Sequence, residues 1–185
     1  MPRTFIAIEA NEEVQNSLKS VQGELEQTGG DLNLVSPGNV HLTLRFLGDV
    51  SESRVDIIKD VINEVPKPDP FQMEVKGLGV FPEPSYIRVV WAGVSAGSEK
   101  VVSLREGLDR KLSEVDYPSD DKDFTPHFTI ARVKSGRAKD KIYSVVEERS
   151  EKVWGSIDVT EIELKKSELT PEGPIYTTLE KAKLG

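Results

Sequence analysis

Two segments of this chain repeat one pattern: a histidine, an apolar residue, a threonine and another apolar residue, each set in a β-type run. The first reads Val40-His41-Leu42-Thr43-Leu44-Arg45-Phe46-Leu47 and the second Pro126-His127-Phe128-Thr129-Ile130-Ala131-Arg132. Side chains along a strand alternate faces with a period of two. His41, Thr43 and Arg45 are therefore expected on one face, with Leu42, Leu44 and Phe46 on the other. His127 and Thr129 likewise share a face opposite Phe128 and Ile130. The apolar faces require a covering layer of helices. The polar faces require water or a cleft, because an unpaired imidazole or hydroxyl is costly to bury. These are the only two histidines in the chain. Threonine is roughly one residue in twenty, so chance sets one two places after both histidines in on the order of one such sequence in 400, and the pair is a signal where a single His-x-Thr is none.

The rest of the chain supplies the covering layer. Apolar residues at helical spacing predict helices over 11–27, 51–65, 97–115 and 137–150, with Val14, Leu18, Val21 and Leu25 as the first stripe and Val101, Leu104, Leu108 and Leu112 as the third. Asn11 is the expected N-cap of the first helix and Gly29-Gly30 its stop. Strands are expected over 4–9, 32–35, 40–47, 71–80, 86–94, 128–133, 152–169 and 175–184. Residues 117–123 read as a polar loop, and its acidic run Asp120-Asp121-Lys122-Asp123 as a solvated stretch. Strands and helices mix without strict alternation, which predicts an α+β fold with antiparallel sheets. A helix, a polar turn and a strand opening on His-x-Thr occur in each half, so residues 1–185 are expected to form a single domain of two similar lobes.

Composition removes several kinds of chemistry. The chain has no cysteine, which excludes disulfides, thiolate catalysis and cysteine-based metal sites. Two distant histidines with no His-Glu-x-x-His spacing predict no metal and no cofactor. There is no P-loop, and Lys76-Gly77-Leu78-Gly79 lies in a strand-like run rather than at an adenylation site. A net charge of −8 argues against coating nucleic acid through a broad basic surface, yet leaves room for a small basic pocket. No apolar run is long enough for a membrane span, and the N-terminal run is too short for a signal peptide, so a cytoplasmic protein is expected.

A pair of histidines fits a reaction that moves two protons. Opening a cyclic phosphodiester needs a base for the nucleophile and an acid for the leaving oxygen, and imidazole serves both near neutral pH. Threonine hydroxyls on the same face can hydrogen-bond phosphate oxygens, and an arginine can clamp the anion. Two arginines compete for that role. Arg45 has the right parity in its strand, whereas Arg132 falls on the face opposite His127 unless a bulge re-aims it. Trp91, among Val89, Val90 and Val94, reads as core. Trp154 and Tyr176 read equally as packing or as base-stacking residues.

At these residues the chain resembles the 2H phosphoesterases, most closely the RNA 2′,3′-cyclic phosphodiesterases once named 2′-5′ RNA ligases. The resemblance extends through Gly79-Val80-Phe81-Pro82, Val89-Val90-Trp91-Ala92-Gly93-Val94, Arg3-Thr4-Phe5-Ile6-Ala7-Ile8, Ser167-Glu168-Leu169 and Gly173-Pro174-Ile175-Tyr176. It implies a bilobal α+β fold with two antiparallel sheets facing across a central cleft and helices outside. It implies His41 as general acid, His127 as general base, and Thr43, Thr129 and Arg132 on the phosphate. The implied partner is RNA with a 2′,3′-cyclic phosphate end, tRNA fragments included, converted to a 2′-phosphate by a monomer without metal or membrane. Reversible 2′-5′ joining belongs to the same expectation. Other cyclic phosphates, 2′-5′ oligonucleotides, and an RNA-end-binding module without catalysis are the alternative readings.

Overall fold

The computed structural model describes residues 3–119 and 123–185; Asp120 to Lys122 of the acidic run lie outside them. Strand β1 (Arg3–Glu9) leads into helix α1 (Glu12–Glu26). Asn11 is extended, and its side chain accepts the Val14 amide at 3.0 Å, which satisfies one free amide of the first turn. Val14, Leu18, Val21 and Leu25 are all buried. Beyond the helix, Gly29 takes a left-handed conformation at φ +80°. The short strand β2 (Leu32–Leu34) and a 3-10 turn over Pro37–Asn39 then deliver the chain to β3 (His41–Asp49).

Helix α2 (Glu52–Glu64) buries Val55, Ile58, Val61 and Ile62, and ends before Pro66. Strands β4 (Phe71–Glu83) and β5 (Tyr86–Val94) form a hairpin over Pro84-Ser85. Helix α3 (Ser98–Ser113) buries the expected stripe, and β6 (His127–Val133) follows. Helix α4 (Lys139–Glu148) precedes the last three strands, β7 (Val153–Val159), β8 (Glu161–Thr170) and β9 (Gly173–Lys183).

The single strand expected over 152–169 is two strands. The core-facing parity changes at Thr160, from Ile157 and Val159 to Ile162 and Leu164, all four buried. One regular strand cannot keep both sets on one face. The chain therefore crosses from one end of the sheet to near the other, where β7 pairs with β4 and β8 with β1.

All pairings are antiparallel, in the order β7-β4-β5-β6-β3-β1-β8-β9, with β2 attached to β6. The two sheets implied by the family are thus the two halves of one curled nine-stranded sheet. They meet at β3 and β6, where only Leu42 and Phe128 are paired. Helices α1 and α4 pack behind the β6 half, against β7 and β4, while α2 and α3 pack behind the β3 half. One continuous apolar cluster joins all four helices to the sheet.

Candidate active site

Strands β3 and β6 share the same run of burial. In each, the histidine and threonine are partly open, the alternate residues Leu42 and Leu44, or Phe128 and Ile130, are buried, and a further buried residue breaks the alternation. The break is a β-bulge in both cases. Leu44 is the extra residue between the Thr43–Ala7 and Arg45–Ile6 pairs. Ile130 is the extra residue between the Thr129–Trp91 and Ala131–Val90 pairs.

The bulges decide which residues reach the cleft. Ala131 turns into the core, and Arg132 turns out beside Thr129 and lines the cleft. The parity problem of the regular strand is resolved in favour of Arg132. In β3 the same bulge removes Arg45 from the site. Arg45 is buried, paired with Asp109 at 2.8 Å, and hydrogen-bonded to the Pro118 carbonyl. The residue at the position of Arg132 in β3 is Phe46, which is 51% exposed and lines the cleft. Sequence alternation alone assigned Phe46 to the core; its equal spacing from the histidine was the signal that pairs it with Arg132.

The cleft has a volume of about 900 Å³. His41, Thr43, His127, Thr129 and Arg132 all line it, so the five sequence-predicted residues converge. The tip of the β8–β9 hairpin, with Leu169 to Pro174, forms one wall, and β2 forms another. Arg3, Phe5 and Tyr176 complete the surface near His41.

Both imidazoles are held in the same way. His41 Nδ1 lies 2.8 Å from the Asn39 carbonyl, and His127 Nδ1 lies 2.7 Å from the Thr125 carbonyl. A carbonyl only accepts, so Nδ1 carries the proton and donates it. Nε2 is then the nitrogen free for proton transfer in each ring. His41 Nε2 meets the Thr43 hydroxyl at 3.0 Å. Such backbone partners, two residues before each histidine, leave no mark in side-chain patterning.

The surroundings of the two rings differ. His41 stacks on Phe5 at 4.7 Å and meets the edge of Tyr176 at 5.3 Å. Glu9 stands directly opposite His41 in the β1–β3 ladder and is ion-paired with Lys165 of β8. His127 lies against Phe81 at 5.0 Å and Trp91 at 5.9 Å. Trp91 is half-buried against Phe81 at 4.9 Å, whereas Trp154 is buried at 3% exposure and donates to the Gly77 carbonyl at 3.0 Å.

Burial pushes both imidazoles below the ordinary histidine value. For His41 the Asn39 carbonyl and the Glu9 carboxylate oppose that shift, and Lys165 and Arg132 reinforce it. For His127 only the Thr125 carbonyl opposes it, and Arg132 reinforces it. Burial raises the Tyr176 phenol, with Arg132 pulling it down and Glu9 adding to the rise. Arg132 acts on all three groups, yet has no hydrogen bond or ion pair among the described residues. A guanidinium without a partner in a cleft that also holds imidazole and hydroxyl groups has the chemistry to bind an anion. Among the described residues no group of three or more histidine, aspartate or glutamate side chains converges as metal ligands would, and no helix is long and apolar enough to cross a membrane.

A family model described as LigT like phosphoesterase matches the chain over residues 8–91 and again over 93–176. The chain is 37% identical over 179 residues to the RNA 2′,3′-cyclic phosphodiesterase of Methanothermobacter thermautotrophicus, covering 96% of each protein. It is 40% identical over 158 residues to the Aquifex aeolicus protein of the same name, covering 82% of this chain and 81% of that one. Among solved structures, TT0787 of Thermus thermophilus matches with a TM-score of 0.81 at 32% identity, over 98% of this chain and 97% of its own. LigT of E. coli complexed with 3′-AMP matches with a TM-score of 0.81 at 24% identity, over 99% and 98%, a likeness of fold. With both halves of its length matched and relatives of this identity across nearly its whole span, the chain belongs to the LigT like phosphoesterase family.

Proposed function

We propose that this protein hydrolyses 2′,3′-cyclic phosphate ends of RNA to 2′-phosphate ends, with His41 as general acid and His127 as general base. The carrying observation is the matched pair of imidazoles, each with Nδ1 tied to a carbonyl and Nε2 left for a cleft that also holds the unpaired Arg132. The names of the relatives favour the same substrate.

Arg132, Thr43 and Thr129 hold the two free oxygens of the cyclic phosphate. Water attacks phosphorus while neutral His127 takes its proton at Nε2. The bond from phosphorus to the 3′ oxygen breaks, and protonated His41 gives its Nε2 proton to that oxygen. The product is a 2′-phosphate beside a free 3′-hydroxyl, and proton exchange with solvent resets both rings. A 5′-hydroxyl in place of water gives a 2′-5′ joint by the same route, run in reverse for cleavage. The Glu9 carboxylate opposite His41 supports the acid's role there, because it favours the charged imidazole; His127 faces rings and Arg132, which favour the neutral base. The exposed Phe46 offers a flat apolar face for a base next to the phosphate. Two pseudo-symmetric lobes in one domain, acting as a cytoplasmic monomer, complete the reading.

The test is a defined oligonucleotide ending in a 2′,3′-cyclic phosphate, with ADP-ribose cyclic phosphate as comparison. The expected product is the 2′-phosphate, with the RNA preferred, and His41→Ala and His127→Ala each losing roughly 100-fold or more in kcat. Tight binding of the 2′-phosphate end without hydrolysis, or near-full activity in both single variants, overturns the proposal.

A further inference from the structure

The Ile130 bulge has a buried partner on the far side of the sheet. Gln22, on α1, is 3% exposed. Its Nε2 donates to the Ile130 carbonyl at 2.9 Å and to the Val35 carbonyl at 2.7 Å. Ile130 is the extra residue of the β6 bulge, and Val35 follows the strand β2 that pairs with β6 along Leu34–Ala131 and Asn33–Arg132. One amide therefore ties the bulge of β6 to the strand lying beside Arg132. The Ile130 carbonyl also accepts the Val35 amide at 3.0 Å, so the Gln22 amide closes a junction of α1, the bulge and the residue after β2, where the regular ladder is interrupted.

The arrangement has a counterpart in β3. Arg105, on α3, donates to the carbonyl of Leu44, the extra residue of that bulge, at 2.8 Å. In both cases a buried polar side chain, from the helix behind the sheet, reaches the residue that breaks the alternation. An apolar residue would otherwise be expected at such a place on a core-facing helix surface.

We propose that Gln22 is a positioning residue for Arg132: it holds the bulged form of β6 that turns the guanidinium into the cleft. Without the bulge, strand alternation sends the Arg132 side chain toward the core and Ala131 toward the cleft. The inference rests on the reading that Arg132 holds the substrate phosphate. It assigns Gln22 no contact with substrate and no share in proton transfer.

The experiment is a double-mutant cycle of Gln22→Met and Arg132→Ala, read in two ways: kcat/KM on the cyclic-phosphate oligonucleotide, and competition or direct binding of inorganic phosphate. Gln22→Met keeps the side-chain volume and removes the donor. It is expected to lower kcat/KM and weaken phosphate binding by roughly tenfold each, mostly through KM. In the Arg132→Ala background it should cost less than about twofold, since its route is already cut. Gln22→Asn, which withdraws the amide by one methylene, serves the same cycle where the methionine variant does not fold. The phosphate arm needs no turnover, so it tests Gln22 even where hydrolysis of cyclic-phosphate RNA fails. Equal losses with and without Arg132, or unchanged phosphate affinity in both Gln22 variants, overturn the proposal.

Discussion

At the scale of single residues, the two histidines share a sequence motif and a hydrogen-bonding scheme, but not an electrostatic setting. The proposed ring opening requires His41 charged and His127 neutral at once. Burial lowers both rings in the free protein, so the kcat/KM profile should be a bell whose maximum lies on the acid side of the ordinary histidine value of 6.5. Bound phosphate, being an anion, favours the charged imidazole, so the kcat profile should lie at higher pH. The Glu9–Lys165 pair gives a sharper check. Removing the Glu9 charge takes away a group that favours charged His41, and removing Lys165 takes away one that opposes it. Glu9→Gln should therefore lower the His41 titration midpoint and Lys165→Met should raise it, with His127 unmoved. Arg132 and Tyr176, which also face His41, are the same in both variants. Proton NMR resolves this directly, because the chain has only two histidines. Both variants break the same ion pair, so shifts of equal sign would mean a structural effect and defeat the electrostatic assignment.

At the scale of elements, buried polar groups join helices to the strands that carry the site. Asp109 of α3 accepts from Arg45 of β3 at 2.8 Å and from Arg105 at 2.9 Å. Arg45 reaches on to the Pro118 carbonyl, and Arg105 lies over the Phe124 ring at 5.0 Å, both in the segment that leads to His127. One carboxylate is thus shared by two largely buried guanidiniums. Asp109→Asn leaves both charges in place and removes the carboxylate they share. Loss of one partner from a buried ion pair costs about 3–5 kcal/mol. Urea unfolding should show a loss at the lower end of that range, because Asp109 is partly open. A change under about 1 kcal/mol would mean that solvent already carries the two arginines.

At the scale of the whole molecule, a protein of net charge −8 presents a cleft whose free cations are few. Arg132 is unpaired among the described residues, Arg3 lies over the Phe46 ring, and Lys165 and Lys166 are paired with glutamates. Recognition should therefore be confined to the RNA end. With one phosphate contact, through Arg132, log KM should change with log salt by a slope of roughly 0.7, the value per contact for a single strand. Oligonucleotides longer than a few residues should gain little. A slope of about 4, or affinity that keeps rising with length, would require an extended basic track elsewhere on the surface.

Much of this was legible in the amino-acid order. The four helices follow from apolar stripes and from Asn11 as a cap, and the shared face of His41 with Thr43, and of His127 with Thr129, follows from period-two alternation within each strand. Local forces suffice there, since a stripe or an alternation requires burial of one face whatever lies behind it. The tertiary structure decided what depends on partners distant in the chain. It broke the 152–169 run at Thr160, where core parity changes and the two pieces join opposite halves of the sheet. It placed α1 behind the half that carries His127 and α3 behind the half that carries His41, each helix covering the strand it does not precede. Because of that exchange, Gln22 and Arg105 reach the bulges of β6 and β3. The bulges in turn exclude Arg45, admit Arg132 and expose Phe46. A sequence read strand by strand carries the alternation but not its interruptions, because a bulge is held by hydrogen bonds from elements far away along the chain.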